Sequence, residues 1–315
     1  TGRLSHAYMF TGSGGTVKNS CAKFLGKAVN CLNPQDGNPC NVCTACRSID
    51  AGSCMDVLEI DAASNNGVDN VRDLRDDAIY TPSEVKRRVY IIDEVHMLSI
   101  SAFNALLKII EEPPEHLIFI LATTELHKVP ATILSRCQRF SFRRIAPEDM
   151  ATRLQYVASQ EQIVLEPQAA MILARMADGA LRDGVSLLDQ CASATLGPVT
   201  AEAVYQCLGL AGEKKAAELM AAIAGKDTRR ALELFDRLYA GGKDVSALLD
   251  ELCALARDLL VLKTAPKAGL AMLSGVSTEE EAVSLRDRLS AGELIQILKT
   301  LQQTAAGFTR GGKNR

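Results

Sequence analysis

The stretch VYIIDEVHM, residues 89–97, places the tightest constraint on the fold. Val89 to Ile92 are four consecutive β-favouring residues without polar alternation. Such a run describes a strand buried on both faces, and strands of that kind belong to parallel sheets covered by helices. The run ends in Asp93-Glu94. Open α/β sheets bind ligands beyond the carboxyl ends of their strands, so both acids are delivered where chemistry is done. The first can hold Mg2+ through water, and the second can orient or deprotonate an attacking water. A buried strand that merely ends in acidic turn residues is the plain alternative, and the dipeptide alone does not separate the two.

The surrounding pattern extends the constraint. Strand-like runs at 6–10, 57–60, 88–92, 117–123 and 138–142 alternate with helical periodicity at 20–30, 68–79, 100–111 and 130–136. That alternation predicts a mostly parallel sheet with helices on both faces. Past Pro147 the strand signal stops. Residues 148–193 predict three short helices, with Pro167 opening the second and Gly179 preceding the third. After a break at Leu196-Gly-Pro-Val199, amphipathic patterns run over 211–224, 228–240, 246–262 and 291–307, followed by a polar tail at 310–315. The expected organisation is an α/β domain at 1–147 and helical regions at 148–195 and 196–315. The chain opens on Thr1 in place of a methionine, which suggests a fragment.

Between the first strand and the first helix lies TGSGGTVKNS, residues 11–20. A phosphate loop of the form Gly-x4-Gly-Lys-Ser/Thr wraps phosphates in backbone N–H groups, reaches their oxygens with the lysine and binds Mg2+ through the hydroxyl. Gly12 and Lys18 keep that separation, and Gly15 adds to the glycine-rich turn. The second glycine position, however, is Val17, and the hydroxyl position is Asn19. A β-branched residue is costly wherever backbone takes positive φ or must approach a ligand closely. Asn19 offers the metal a carbonyl oxygen, a weaker ligand in that geometry. On its own the stretch is either a glycine-rich turn or an impaired phosphate loop.

Ten cysteines are unevenly spread. Four fall in CLNPQDGNPCNVCTAC as Cys31, Cys40, Cys43 and Cys46, and this spacing predicts a structural, tetrahedral four-sulfur Zn2+ site. Turn formers Asn33, Pro34, Gly37 and Pro39 leave little regular structure to compete. Redox-active CxxC pairs would leave two of the four unexplained. Composition excludes several classes. Net charge is −3 and aromatics are 4%, so bulk nucleic-acid affinity and base-stacking platforms are not expected. No apolar run approaches the roughly 18 residues of a membrane helix, and no signal-peptide pattern opens the chain, so a cytoplasmic protein without membrane partners is expected.

Ser5-His-Ala-Tyr8, Glu59-Ile-Asp-Ala-Ala-Ser-Asn65, residues 90–98, Phe103-Asn-Ala-Leu-Leu-Lys108, Glu111-Glu-Pro-Pro-Glu-His116, Leu121-Ala-Thr-Thr124, Ile133-Leu-Ser-Arg-Cys137 and Leu181-Arg-Asp183 together resemble one family. It is the gamma/tau family of clamp loader ATPases of bacterial DNA polymerase III, in the AAA+ class. The resemblance runs from about residue 3 to the end and is tightest to residue 145.

It implies an AAA+ P-loop domain with a zinc module at 31–46, a helical lid at 148–195 and a helical oligomerisation collar at 196–315. It implies ATP and Mg2+ as cofactors. Asp93 would be the acid associated with Mg2+, Glu94 the residue that orients water, and Thr124, or its neighbour Thr123, the polar sensor beside the γ-phosphate. Arg136 would act in trans on the adjacent subunit's nucleotide, and Arg182 would be the lid arginine. Partners implied are the other clamp loader subunits in a hetero-oligomer, the sliding clamp, and primer–template DNA held through its backbone. Each arginine also has an ordinary reading as a solvated or salt-bridged helix terminus.

The family's chains normally begin some tens of residues earlier with a segment that helps hold adenine, and the collar reads as incomplete here. Its phosphate loop ordinarily ends in Gly-Lys-Thr. An ATP-driven motor subunit is nevertheless the leading expectation, because Asp93-Glu94, Arg136 and Arg182 are all retained, a set of roles that an idle site would not require. The runner-up is an ATP-inert, zinc-bearing assembly subunit resembling the delta-prime stator, whose phosphate loop is degenerate but which generally lacks the Asp-Glu pair. An AAA+ DNA regulator lacks support, since no helix-turn-helix signature appears. His96 and Met97 are expected to pack or to support the acid pair from behind, and Lys86-Arg-Arg88 to form a solvated turn before the strand.

Overall fold

The computed structural model describes residues 4–208, 213–242, 244–266 and 279–310, together with 269, 273, 274 and 277. Two compact units make up the chain. Residues 1–146 and 179–183 form the first, and residues 147–178 and 184–315 the second.

The first unit is built on five parallel strands, β1 (Ala7–Thr11), β2 (Val57–Asp61), β3 (Arg88–Asp93), β4 (Leu117–Thr123) and β5 (Gln138–Ser141), in the order β2-β3-β4-β1-β5. The period-2 alternation of the strands sorts their side chains to two cores. Tyr8, Phe10, Val89, Ile91, Ile118 and Ile120 face α1 (Lys18–Asn30), packing with its Ala22 and Leu25. Met9, Tyr90, Ile92, Phe119 and Leu121 face the other way, against α3 (Val68–Ala78), α4 (Ile100–Glu111) and α5 (Ala131–Leu134). Both layers are apolar, which is why β3 and β4 read as unbroken hydrophobic runs. Register sets Thr11 opposite Thr123 and Asp61 opposite Asp93, so the strands end together at one carboxyl edge.

One buried acid braces the entry to β3. Asp56 is fully buried and accepts hydrogen bonds from the N–H groups of Ser83 and Glu84, both at 2.8 Å, and from Arg88 Nη2 at 3.0 Å. Burial opposes its charge, but the Glu84 N–H, the Arg88 guanidinium and the Ser83 N–H prevail and hold its carboxyl below the usual range.

The second unit is helical: α6 (Pro147–Gln160), α7 (Pro167–Met176), α8 (Leu181–Ala194, from Gly184 onward), α9 (Ala201–Cys207), α10 (Glu213–Ala224), α11 (Thr228–Ala240), α12 (Val245–Thr264), α13 (Glu279–Arg286) and α14 (Ala291–Arg310). α12 buries Leu248, Leu252, Leu255, Leu259 and Leu262, a stripe spaced by four and three residues. That stripe forms a core with Met220 of α10, Leu285 of α13 and Leu294 of α14. Caps fix the starts: Asp244 accepts from the N–H groups of Ser246 and Ala247, and Asp227 from that of Arg230.

All five expected strands are present. Three short helices were not expected: α2 (Thr44–Asp50), α9 and α13. Each has at most eight residues, too few for periodicity to register. α2 corrects the view that turn formers dominate the cysteine segment, because Cys43 caps it with sulfur accepting from Cys46 N–H. The helix expected over 130–136 is confined to Ala131–Leu134, with Pro130 at its N-cap. The start of the pattern at 211–224 and the tail at 311–315 lie outside the described residues. No described helix is long and apolar enough to cross a membrane.

Candidate nucleotide site and cysteine cluster

The turn after β1 is shaped by two glycines. A Cβ on Gly12 would lie 2.5 Å from the Phe142 carbonyl oxygen. Gly15 has φ 71°, and a Cβ there would lie 2.6 Å from Ala180 Cβ; its carbonyl accepts from Leu181 N–H at 3.0 Å. Neither position admits a side chain without displacement. Val17 follows at φ 57° and ψ 23°, in the left-handed region, and forms the N-cap of α1 without a side-chain bond. The backbone therefore takes the conformation for which glycine suits this position, and a β-branched residue occupies it.

Lys18 is 6% exposed, and its Nζ donates to the carbonyls of Gly12 and Ser13, both at 2.8 Å. Burial pushes its pKa down, against the pull of Glu94 and Asp93. A phosphate oxygen entering the loop would compete for the same ammonium. Its neighbour Asn19 reaches β3, where Nδ2 donates to Asp93 Oδ2 at 2.5 Å. The other Asp93 oxygen, Oδ1, accepts from Glu94 N–H at 2.9 Å.

Glu94 is itself left-handed, at φ 45° and ψ 44°, which turns its side chain toward β4. There Glu94 Oε2 accepts from Thr124 N–H at 3.2 Å and Thr124 Oγ1 at 2.9 Å. Of the two threonines offered by the sequence, Thr124 is the one bonded to Glu94. Thr123 is fully buried and meets His96 Nδ1 at 3.0 Å. His96 takes the supporting one of its two expected places: Nδ1 lies 3.2 Å from Glu94 Oε2, and Nε2 lies 3.1 Å from Glu125 Oε2.

The turn after β1, the acid pair of β3 and the first residue past β4 thus converge at one edge. Arg182 follows Leu181, whose N–H is bonded to the loop at Gly15. Arg136 is engaged elsewhere, with Nη2 on Glu111 Oε1 at 2.8 Å and Nη1 on the Thr132 carbonyl at 2.9 Å. The donors fit a polyphosphate: a glycine-shaped loop, a helix N-terminus and a buried ammonium. They do not fit Mg2+ as a Ser or Thr loop does, because Asn19 turns a donor toward Asp93.

Sulfur atoms of Cys31, Cys40, Cys43 and Cys46 all lie within 4.8 Å of one another. Cys31 ends α1, and Cys43 and Cys46 frame the first turn of α2. Backbone N–H groups of Leu32 and Cys46 bring the Cys43 thiol down to about 6, whereas burial pushes Cys46 up to about 12. Four converging sulfurs with N–H donors aimed at them suit a tetrahedral soft-metal site with no open position. Lys27 of α1 ties the module down by pairing with Asp50 of α2 at 2.8 Å and Asn41 at 2.9 Å.

Three family descriptions match successive parts of the chain. Residues 1–146 match the family described as DNA polymerase III, delta subunit; residues 149–197 match the DNA polymerase III clamp loader subunit ATPase lid domain; residues 199–306 match domain III of the DNA polymerase III subunits gamma and tau. DNA polymerase III subunit tau of Bacillus subtilis (strain 168) is 46% identical over 303 residues, covering 96% of this chain and 54% of that protein. The tau subunit of Escherichia coli (strain K12) is 42% identical over 267 residues, covering 85% and 42%. The chain therefore spans about half the length of these curated relatives. Among solved structures, the RuvB Holliday junction branch migration motor of Thermotoga maritima aligns with a TM-score of 0.48 at 15% identity, over 70% of this chain and 68% of that one. With an AAA+ α/β unit followed by helical regions, the chain belongs to the DNA polymerase III gamma/tau family of clamp loader subunits.

Proposed function

We propose that this chain takes ATP at residues 12–19 and, within a hetero-oligomeric clamp loader, uses ATP binding and hydrolysis to load a sliding clamp onto primed DNA. The observation that carries the reading is the convergence of Asn19 on Asp93 and Thr124 on Glu94, which joins loop, acid pair and sensor position at one strand edge.

In this reading Lys18 leaves the Gly12 and Ser13 carbonyls for phosphate oxygens, with the N–H groups of the loop beside it. Glu94 orients the attacking water, and Thr124 holds Glu94 until its hydroxyl turns to the γ-phosphate. Arg136 serves the neighbouring subunit's site; its exposed pair with Glu111 is worth at most about 1 kcal/mol, so exchanging carboxylate for phosphate costs little. Arg182 reports nucleotide from the segment bonded to the loop. Residues 148–195 act as the lid and 196–315 as the collar that holds the assembly. Primer–template DNA is gripped through its phosphates, which needs little net positive charge. Zn2+ at the four cysteines is structural, locking the end of α1 to α2.

Nucleotide binding and DNA-stimulated ATPase assays test this, on the chain assembled with its partner subunits and beside a Val17→Gly/Asn19→Thr double variant. Turnover in both, faster in the variant, is expected. No turnover in either refutes hydrolysis by this subunit, and equal, strong turnover in both refutes an impaired loop. A second reading, an assembly subunit that does not hydrolyse ATP, is favoured by the left-handed Val17 and by Asn19. It leaves the retained Asp93-Glu94 pair, Arg136 and Arg182 without a purpose.

A further inference from the structure

We infer that Asn19 uncouples the phosphate site of this chain from Mg2+, so that nucleotide is held by the loop and Lys18 with little dependence on the metal. The inference rests on the nucleotide reading above and concerns the position where the loop exchanges a hydroxyl for an amide.

Mg2+ requires about six oxygen ligands in near-octahedral array and gives up its waters reluctantly. A Ser or Thr at position 19 would serve two partners with one atom, its hydroxyl proton going to the strand acid and a lone pair to the metal. Asparagine divides those roles between two atoms of a rigid planar amide. Here Nδ2 takes the donor role, 2.5 Å from Asp93 Oδ2. The reverse amide assignment would press Oδ1 against a carboxylate oxygen, so electrostatics fix the orientation and turn Oδ1 away from the acid.

Asp93 is also satisfied at its other oxygen, by Glu94 N–H at 2.9 Å. Both carboxylate oxygens therefore carry protein donors, and the Lys18 ammonium supplies opposite charge nearby. A metal–nucleotide complex entering the loop finds no oxygen held in place for its cation at position 19. To engage the Asp93 oxygen that faces the loop, it competes with the amide. The phosphate arm of the site is unaffected, because Lys18 and the glycine-shaped backbone do not involve Asn19.

The test is titration of the full chain with a fluorescent ATP analogue, once in excess MgCl2 and once in EDTA, with wild type and Asn19→Thr. Asn19 is solvent-exposed at the start of α1, so the variant retains the fold. Wild-type affinities are expected to agree within about threefold between the buffers, while Asn19→Thr gains on the order of tenfold or more with Mg2+. A wild type that loses tenfold or more in EDTA, as the variant does, overturns the inference but keeps the nucleotide site. Wild type failing to bind in either buffer while Asn19→Thr binds with Mg2+ has the same meaning. Absence of binding by both proteins in both buffers overturns the nucleotide reading, and the inference with it.

Discussion

Replacing Val17 with glycine should stabilise the protein, although it removes a side chain. Val17 sits at φ 57° and ψ 23°. For a β-branched residue this conformation costs about 2–3 kcal/mol, the upper part of the range for sparsely populated backbone states. Glycine removes that cost but frees the unfolded chain, an opposing effect of about 0.7 kcal/mol. Losing the half-buried valine methyls costs roughly another 0.7 kcal/mol. The balance is about 1 kcal/mol in favour of Val17→Gly, or roughly 2–5 °C in Tm for a unit of this size. Scanning calorimetry of the nucleotide-free chain measures it, with Val17→Ala as the control. Alanine keeps a Cβ in the left-handed region and should leave Tm nearly unchanged. A Val17→Gly protein that melts at or below wild type, or an alanine variant that matches the glycine one, would refute the assignment of strain to this backbone.

Three further outcomes follow from the contacts described. Cys43→Ser should remove about one equivalent of zinc per chain by elemental analysis and lower the melting temperature, since a four-sulfur site loses a ligand; unchanged zinc content would count against the site. Asp56→Ala should cost about 3 kcal/mol in urea unfolding, because it leaves the mostly buried Arg88 guanidinium and two N–H groups without their acceptor. The folded carboxyl of Asp56 lies below its unfolded value, so its contribution is present above about pH 4 and is lost as pH falls through the folded pKa; wild type should show this acid limb, and Asp56→Ala should not. Arg136→Ala should leave nucleotide binding by its own chain intact while lowering turnover of the assembly, on the order of a thousandfold at a site that depends on it; unchanged turnover would return Arg136 to its ordinary role beside Glu111.

The α/β unit was legible because its information is local. β3 and β4 are buried on both faces and therefore read as unbroken apolar runs, and β1, although short, is marked by the glycine turn that follows. The four cysteines are close in sequence, so their convergence needed no tertiary knowledge. α2 escaped notice because its start is fixed by a cysteine sulfur acting as cap, whereas the surrounding Asn, Pro and Gly residues suggested turns. α9 and α13 span barely two turns, too short for a period to emerge. At the site, Asp93, Glu94 and Lys18 were readable from motif spacing. The bond between Asn19 and Asp93 was not, since it joins residues 74 positions apart. The bond of Glu94 to Thr124 likewise joins residues far apart in sequence, and it accompanies a left-handed turn at Glu94 that no propensity predicts for glutamate.

The proposed nucleotide site is tested most directly by ATP titration calorimetry on wild type and Lys18→Ala, with circular dichroism establishing that both are folded. Removing an ammonium that holds phosphate oxygens through charge-assisted hydrogen bonds should weaken binding by about 2 kcal/mol, roughly thirtyfold. Affinities that agree within about twofold would place the phosphates away from Lys18 and contradict a nucleotide pocket at this strand edge.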